Sequence, residues 1–242
     1  MALARLVKRA VAGRLVPFNR EAIAARYLSG DGIEIGALHN PLRVPRGARV
    51  RYVDRMPVAE LEQHYPELRG QRLVDVDVID DGERLETVAD GSLDFVIANH
   101  FLEHCQDPLG ALGNMLRVLR EGGVLYLAVP DKRFTFDVDR PVTPSEHLLA
   151  DHREGPERSR RQHFEEWARL VDRVDDADVE RHATHLLEQD YSIHFHVWTQ
   201  ADVFELLQLA RRELGAGFDV ELAARNGHEN VFVLRKARPQ TA

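Results

Sequence analysis

Five apolar runs of strand length in the first 131 residues each end on a glycine or a polar residue. These end residues are Gly36, Asp54, Asp77, Asn99 and Asp131. Between the last two runs lies a segment with helical spacing, which we predict to begin at Asp107-Pro108 and to end at Gly122-Gly123. Strands that alternate with helices predict right-handed βαβ units and a parallel sheet. Because such sheets bind ligands beyond the carboxyl ends of their strands, we expect the five end residues to gather at one edge.

The first two of these strand ends suggest a nucleoside site. Gly36 allows the backbone to approach a ligand closely. Eighteen positions later, Asp54 offers a carboxylate that can accept hydrogen bonds from two ribose hydroxyls. A glycine and an acid at this spacing are common by chance, so the pair gains weight only from the strand ends that follow.

The last part of the chain predicts a helix followed by an antiparallel hairpin. Thr199 can cap the helix. Residues 218–223 and 230–234 then have strand length, and they flank Asn226-Gly227, a dipeptide typical of tight hairpin turns. A parallel sheet that ends in an antiparallel hairpin distinguishes one class of nucleoside-binding protein from the others.

An insertion, residues 132–198, separates these two parts and is far longer than the two to six residues usual for such a connection. It contains seven of the twelve histidines. Residues 191–198 alternate like a strand, which predicts that His194 and His196 share one face, with Asp131 as the acid that joins them. Such a pair could hold a metal, bind an anionic substrate or form structural pairs with carboxylates. Since long loops at the ligand end of a sheet usually serve the substrate, we expect a lid.

Together these patterns predict an α/β fold. We expect a Rossmann-like, doubly wound, mainly parallel sheet with a C-terminal antiparallel hairpin and a helical lid insertion.

Composition restricts the classes of function. Hydrophobic content of 44% and charged content of 30% are ordinary for a soluble globular enzyme. The net charge of −8 argues against a nucleic-acid-binding surface. Cys105 is the only cysteine, which excludes an intramolecular disulfide and indicates a reducing compartment such as the cytoplasm. No apolar stretch approaches the ~20 residues needed to span a bilayer.

The chain resembles the class I S-adenosylmethionine-dependent methyltransferases of the methyltransferase-11 type, over residues 30–131 and again over residues 199–236. The matching segments are Ile33-Glu34-Ile35-Gly36-Ala37, Asp54, residues 77–82, residues 98–104 and residues 116–130. One departure concerns the helix that family members usually carry after the first glycine. Here Pro41 and Pro45 occupy that space and predict a short, irregular connection instead.

The resemblance implies S-adenosyl-L-methionine as the cofactor. The cofactor-binding residues that it implies are Glu34, Gly36, Ala37, Asp54, Arg55, Asp77, Val78, Asn99 and His100. By resemblance, Glu34 and Gly36 lie near the methionine end, which the backbone of Asn99 approaches. Asp54 binds the ribose hydroxyls, and Asp77 with its successor lies beside the adenine.

The resemblance also divides the chain into four parts. These are an N-terminal amphipathic helical segment (1–29), an S-adenosylmethionine-binding core (30–131), a lid for the substrate (132–198) and a C-terminal helix and hairpin that complete the core (199–242). The first segment is rich in arginine, with Glu21 as the only acid up to residue 28. A transit peptide or a membrane-surface helix has the same pattern, but we favour a helix packed on the domain edge or over the cofactor.

Methyl transfer to a hydroxyl requires removal of a proton, for which a histidine is suited near neutral pH. The candidates by position are His100, His163 and His196, with Asp131 as orienting partner. We expect a small polar acceptor, first of all a sugar or glycan hydroxyl, because similar methyltransferase domains occur beside glycosyltransferases in polysaccharide biosynthesis. The polar, histidine-rich lid suits such a substrate better than a lipid.

Three other functions compete with this interpretation. His100-Phe101-Leu102-Glu103-His104 spells H-x-x-E-H, the pattern of a zinc hydrolase, in which His100 and His104 would share one helical face. No third ligand is evident, and we assign no metal site. An NAD-dependent Rossmann oxidoreductase shares the glycine and the ribose acid but usually lacks the hairpin. A non-catalytic cofactor-binding module in a larger assembly is the third alternative.

Overall fold

The computed structural model describes residues 19–215 and 217–237. The amphipathic pattern of residues 1–18 lies outside these ranges. The first described element is helix α1 (Arg20–Tyr27), whose N-terminus is capped because the Asn19 side chain accepts a hydrogen bond from a backbone amide of the first turn (2.9 Å). No helix in the described part of the chain is long and apolar enough to cross a membrane.

The described residues form one sheet of seven strands. The strands are β1 (Gly30–Ile35), β2 (Ala48–Asp54), β3 (Val78–Ile79), β4 (Leu93–Asn99), β5 (Leu119–Pro130), β6 (Phe218–Asn226) and β7 (Glu229–Lys236). Their order is β3-β2-β1-β4-β5-β7-β6. The first five are parallel, whereas β7 is antiparallel to both β5 and β6. The predicted mainly parallel sheet with a C-terminal hairpin is therefore confirmed.

Helices cover both faces of this sheet. The described helices after α1 are α2 (Val58–His64), α3 (Pro108–Val118), α4 (Ser145–Glu154), α5 (Glu157–Leu170), α6 (Val179–Glu188) and α7 (Gln200–Glu213). Alternate residues of β4 show the two layers, since Val96 packs with α3 and α7 on one face and Phe95 packs with α1 on the other. Burial on both faces explains why β4 and β5 read as continuous apolar runs.

Helix α3 is shorter than the sequence predicts. Asp107 caps it as expected, with its carboxylate accepting from the Gly110 amide (2.9 Å). The helix ends at Val118, however, and the predicted terminator Gly122-Gly123 lies within β5. The physical reason is pairing with the sheet, because the fully buried Leu119 already pairs with the start of β4.

The connection after β1 is irregular and contains no helix, as Pro41 and Pro45 predict. The strand β3 differs from the prediction, because Asp77 precedes the strand instead of ending it. The Asp77 carboxylate accepts a hydrogen bond from the Tyr52 amide (2.8 Å), and the Asp77 amide donates to the Tyr52 carbonyl (2.9 Å). The side chain thus takes the place of a backbone acceptor, and regular pairing starts one residue later.

The insertion folds as α4, α5 and α6, followed by an extended segment, residues 191–199, that belongs to no strand. It has an apolar core of its own, formed by Phe164, Trp167, Ala183, Leu186, Ile193 and Phe195. The helical insertion is therefore observed, but residues 191–198, which alternate like a strand in sequence, form no strand.

Candidate active site

Strand tips define the candidate site. Strand β1 lies between β2 and β4 in register, so Gly36, Asp54 and Asn99 lie at adjacent carboxyl ends. Gly36 has a φ of +63°. A Cβ atom built on it would meet only the Phe101 side chain, at 3.8 Å, so the backbone conformation, and not lack of space, favours glycine here. The tip of β1 is therefore open to a ligand.

Below that tip, the buried Glu34 and the half-buried Asn99 form a polar pair. The Glu34 carboxylate accepts hydrogen bonds from the Leu42 amide (3.0 and 3.1 Å) and from Asn99 Nδ2 (3.3 Å). Burial raises the pKa of Glu34 to about 7 despite these bonds. Asn99 Oδ1 is buried and has no hydrogen-bond donor among the described residues. This pair can accept a cationic or hydrogen-bond-donating group.

Asp54 ends β2 with a carboxylate that is partly free. Its Oδ1 accepts from the Arg55 amide (2.8 Å), and we find no other donor to this carboxylate in the described ranges. Burial raises its pKa. The Arg55 guanidinium turns away to Asp190 Oδ2 (2.8 Å) and His64 Nε2 (2.6 Å). The arginine thereby connects the end of β2 to the insertion.

The loop after β3 closes over the tip of β1. Asp80 donates its amide to the Asp54 carbonyl (3.0 Å), and its carboxylate accepts from the amide and hydroxyl of Thr87 (2.8 and 2.6 Å). A Cβ on Gly82 would lie 2.5 Å from Ile35 and 2.7 Å from Phe101, so only glycine allows this close approach.

The structure places the other implied cofactor residues around this loop and the tip of β1. Ala37 is buried in a turn, where its carbonyl accepts from the Asn40 amide (2.9 Å). Asp77 and Val78 lie upstream of the loop, with the Asp77 carboxylate held by Tyr52. At the tip of β3 the acid is therefore Asp80, which sequence reasoning did not single out.

His100 follows β4 and lies between two buried carboxylates. Its Nε2 is 2.7 Å from Glu229 Oε2, and its Nδ1 is 3.4 Å from Glu103 Oε1. Burial opposes the imidazolium, but the interactions with Glu103 and Glu229 outweigh it and raise the pKa of His100 to about 9. The side chain is 33% exposed and its φ is +49°. These carboxylates make His100 a stronger base than an ordinary histidine.

Sequence reasoning missed Glu229. Antiparallel pairing of β7 with β5 places it opposite Pro130, at the same edge as His100. Asn226 Nδ2 also donates to it (2.6 Å), and Arg20 Nε lies 3.3 Å away. No local pattern announces this position, because it depends on the insertion of β7 beside β5.

Asp131 is not the partner of the candidate histidines. Its buried carboxylate accepts from Arg133 Nε and Nη2 (2.8 and 2.7 Å) and from Asn230 Nδ2 (3.1 Å). Burial alone would raise its pKa, but these bonds lower it to about 2. The expected pairing of Asp131 with His194 and His196 is not found in the described chain, because Arg133 and Asn230 hold the carboxylate.

The insertion separates His194 from His196. His194 Nδ1 lies 2.7 Å from Asp137 Oδ2, whereas His196 packs beside the ring of His163. The Glu103 carbonyl accepts hydrogen bonds from the backbone amides of two successive residues, Phe195 (2.8 Å) and His196 (3.3 Å). A regular strand does not have this arrangement. The two imidazoles therefore contact different groups of residues and do not form one joint site.

His163 and His196 lie together in the insertion, in a group that does not include His100. Burial lowers the pKa of His163 to about 4 and that of His196 to about 3. Both are neutral at pH 7 and are weak bases.

The H-x-x-E-H segment does not form a helical metal site. It contains a short 3-10 turn (Leu102–His104), and His104 Nδ1 lies 2.8 Å from the Ile193 carbonyl. His100 points to Glu229 instead, so the two histidines do not share a helical face as the zinc-hydrolase pattern requires.

Comparisons with known proteins agree with the fold. Residues 30–127 match the sequence model of a protein family described as "Methyltransferase domain". A search of curated proteins found no match.

Solved structures with a similar fold include a putative zinc-dependent alcohol dehydrogenase from Rhodobacter sphaeroides (16% identity, TM-score 0.51, covering 87% of this chain and 85% of that one). Others are a methyltransferase from Thermotoga maritima, described as a possible histamine N-methyltransferase (16%, TM-score 0.47, 86% and 83%), and one from Aquifex aeolicus (15%, TM-score 0.49, 97% and 98%). At 16% identity, the similarity to the Rhodobacter sphaeroides protein concerns the fold alone. Residues 30–127 therefore match a methyltransferase domain, and the strand order, with its antiparallel C-terminal hairpin, is compatible with that match.

Proposed function

We propose that the chain is a class I S-adenosylmethionine-dependent methyltransferase that acts on a hydroxyl of a small polar acceptor, namely a sugar or a glycan in polysaccharide biosynthesis. The observation that carries the proposal is the position of His100, at the tip of β4 between Glu103 and Glu229. A hydroxyl must lose its proton during methyl transfer, whereas a neutral amine needs no strong base beforehand. A histidine of raised basicity beside the cofactor edge therefore favours an alcohol.

The cofactor fits the polar groups of this edge. S-adenosyl-L-methionine, when bound, supplies an electrophilic methyl group on a sulfonium. In our proposal the Asp54 carboxylate accepts hydrogen bonds from the ribose hydroxyls. Glu34 and Asn99 Oδ1 receive the ammonium group of the methionine part, because one is a buried carboxyl and the other a buried acceptor without a donor in the described chain. Gly36 and Gly82 keep the backbone close to the cofactor.

His100 acts as the general base. Only the neutral imidazole can take the proton of the hydroxyl, and a pKa near 9 leaves about 1% of it neutral at pH 7. The higher basicity offsets part of this low population, as Brønsted behaviour requires. Once protonated, the imidazolium is stabilised by Glu103 and Glu229. Asp131, His163 and His196 take no part in this step.

The insertion, residues 132–198, forms the lid that completes the acceptor pocket in this proposal. Two arginines support it, because Arg55 at the end of β2 and Arg160 on α5 both bind Asp190 in the loop after α6. The lid thereby borders the ribose side of the cofactor. Its polar side chains suit a hydroxylated acceptor. With Cys105 buried and reduced, a cytoplasmic location belongs to the same proposal.

The test is methyl transfer from S-adenosyl-L-methionine to a panel of sugars, sugar nucleotides, glycans and amines. We expect hydroxylated acceptors to be methylated. His100→Asn should lower kcat by roughly 10²- to 10⁴-fold, the usual contribution of a general base. His182→Asn is the matched control, because His182 lies on α6 and pairs with Asp172 (2.8 Å). Turnover of amines alone, or full activity of His100→Asn, would show that the proposed acceptor chemistry is wrong.

A further inference from the structure

Three histidines and an aspartate converge inside the insertion. His147 and Asp151 lie one turn apart on α4, His163 lies on α5, and His196 lies in the extended segment that follows α6. One ligand atom from each of the four residues can be chosen so that all lie within 4.8 Å of one another. Asp151, His163 and His196 are buried. The four side chains form a group apart from His100 and Glu229, although the His196 backbone amide donates to the Glu103 carbonyl (3.3 Å).

The distances within this cluster suit a tetrahedral metal ion. His147 Nε2 lies 3.0 Å from His163 Nε2 and 3.1 Å from Asp151 Oδ2. Zinc bonds to nitrogen and oxygen of about 2.0–2.1 Å imply ligand–ligand distances of about 3.3 Å. The two observed separations lie just below that value.

Two buried atoms of the cluster lack ordinary partners. Among the described residues, Asp151 Oδ2 and His196 Nδ1 have no hydrogen bond, since the contact of Asp151 with His147 lacks hydrogen-bond geometry. Buried polar atoms without partners are costly and require an explanation. A dication would satisfy the carboxylate oxygen and the lone pairs of neutral imidazoles at once.

The other oxygen of Asp151 is held in place. Ser159 Oγ donates a hydrogen bond to Asp151 Oδ1 (2.6 Å), and this leaves Oδ2 to face the histidines. Ligating carboxylates are usually oriented by such a second hydrogen bond. Ser159 lies on α5 and Asp151 on α4, so the arrangement already connects the two helices.

We propose that His147, Asp151, His163 and His196 bind one Zn²⁺ ion with a structural role. Three nitrogens and one carboxylate oxygen form a ligand set that zinc accepts, and four protein ligands close the coordination sphere. The ion would join α4, α5 and the segment around His196, three elements that hydrogen bonds of the sheet do not connect. His196 Nε2 lies 3.3 Å from the Gln106 carbonyl and can donate to it, so His196 Nδ1, which has no partner among the described residues, would be the zinc ligand. The zinc would therefore fix the lid against the loop that follows β4.

A neighbouring group with a similar composition is less suited. Glu103, His104 and His194 also approach one another, but they provide only three ligands. His194 is paired with Asp137, and His104 lies within hydrogen-bond distance of the Ile193 carbonyl. This second group serves as an internal control for the location of the metal.

The test is calorimetric titration of the full-length, chelator-treated protein with Zn²⁺ in the absence of cofactor. We expect about one ion per chain and a higher thermal midpoint with zinc. Asp151→Asn and His163→Gln should weaken zinc binding more than about 100-fold, and Ser159→Ala roughly 10- to 100-fold, as for loss of an orienting partner. His152→Gln, on the same helix but paired with Asp107 (2.8 Å), should bind like the unaltered protein.

Three results would overturn the proposal. They are no saturable zinc binding by the unaltered protein, unaltered binding by Asp151→Asn, and an equally large loss in His104→Gln. Circular dichroism establishes whether each variant is folded. Should His163→Gln fail to fold, Asp151→Asn decides, because it preserves the shape of the side chain and its bond to Ser159. The measurement uses no acceptor, so its failure is distinguishable from failure of the proposed methylation.

Discussion

Replacing Glu34 by glutamine should stabilise the cofactor-free protein above pH 7 and change its stability little at pH 5. Glu34 is 1% exposed, and burial raises the pKa of its carboxyl from 4.5 to about 7. The difference of about 2.5 corresponds to about 3 kcal/mol, at 1.36 kcal/mol for each pH unit. Because the folded-state pKa is raised, this penalty is absent well below pH 4.5, grows between pH 4.5 and 7, and is complete above pH 7.

Glutamine fits the hydrogen bonds of this position. Its Oε1 can accept from the Leu42 amide, and its Nε2 can donate to Asn99 Oδ1, which lacks a donor among the described residues. Urea unfolding of both proteins should show a stability difference that rises from below about 1 kcal/mol at pH 5 to about 3 kcal/mol at pH 8. Other titrating groups are common to both proteins and cancel in this difference.

Glu62→Gln, at an exposed position of α2, controls for the removal of one negative charge. Its stability difference should not change with pH. A Glu34→Gln difference that stays constant from pH 5 to pH 8 would refute the reasoning, because it would show that the buried carboxyl carries no ionisation penalty. Saturating S-adenosyl-L-methionine should reduce the gain at pH 8, since a nearby cation favours the carboxylate.

Three further predictions concern the base and the packing. The kcat for a hydroxylated acceptor should rise about tenfold per pH unit up to pH 9, where His100 becomes neutral, and this rise should vanish in His100→Asn. Gly32→Ala should lower the free energy of unfolding, measured in urea, by at least about 1–3 kcal/mol, because a Cβ atom would lie 2.4 Å from the Phe95 ring. Gly47→Ala is the control and should change this free energy by less than about 0.5 kcal/mol, because a Cβ atom there would have nothing within 4 Å. Arg140→Met should lower the free energy of unfolding in urea by about 3–5 kcal/mol, because the carboxylates of Asp137 and Glu166 bind this buried guanidinium. An unchanged free energy of unfolding would contradict this prediction.

The parts of the fold that the sequence predicts are those in which local pattern and burial agree. Strands β4 and β5 lie inside the sheet and are buried along most of their length, so their continuous apolar runs end where the chain reaches the polar edge. The hairpin was predictable because Asn226-Gly227 sits between two apolar runs, and Gly227 indeed has a φ of +65°. Gly36 and Asp54, at the tips of β1 and β2, are predictable because each ends a run of strand length in the sequence.

The remainder depends on contacts between distant parts of the chain. Asp77 lies before β3 because its side chain replaces a backbone acceptor for Tyr52, which no propensity describes. Glu229 reaches His100 only because β7 enters the sheet beside β5. His147 joins a cluster through the packing of three elements that share no sequence motif. Sequence spacing alone therefore grouped the histidines of the insertion wrongly.

The central claim is that the cofactor binds across the tips of β1 and β2, with its ribose held by Asp54. Calorimetric titration of S-adenosyl-L-methionine into the unaltered protein and Asp54→Ala tests it, with Asp75→Ala, at an exposed neighbouring acid, as control. Two charge-assisted hydrogen bonds of about 1.5 kcal/mol each amount to about 3 kcal/mol, or roughly a 100-fold loss of affinity. The account predicts this loss for Asp54→Ala in a folded protein and none for Asp75→Ala. Unaltered affinity of folded Asp54→Ala would contradict it.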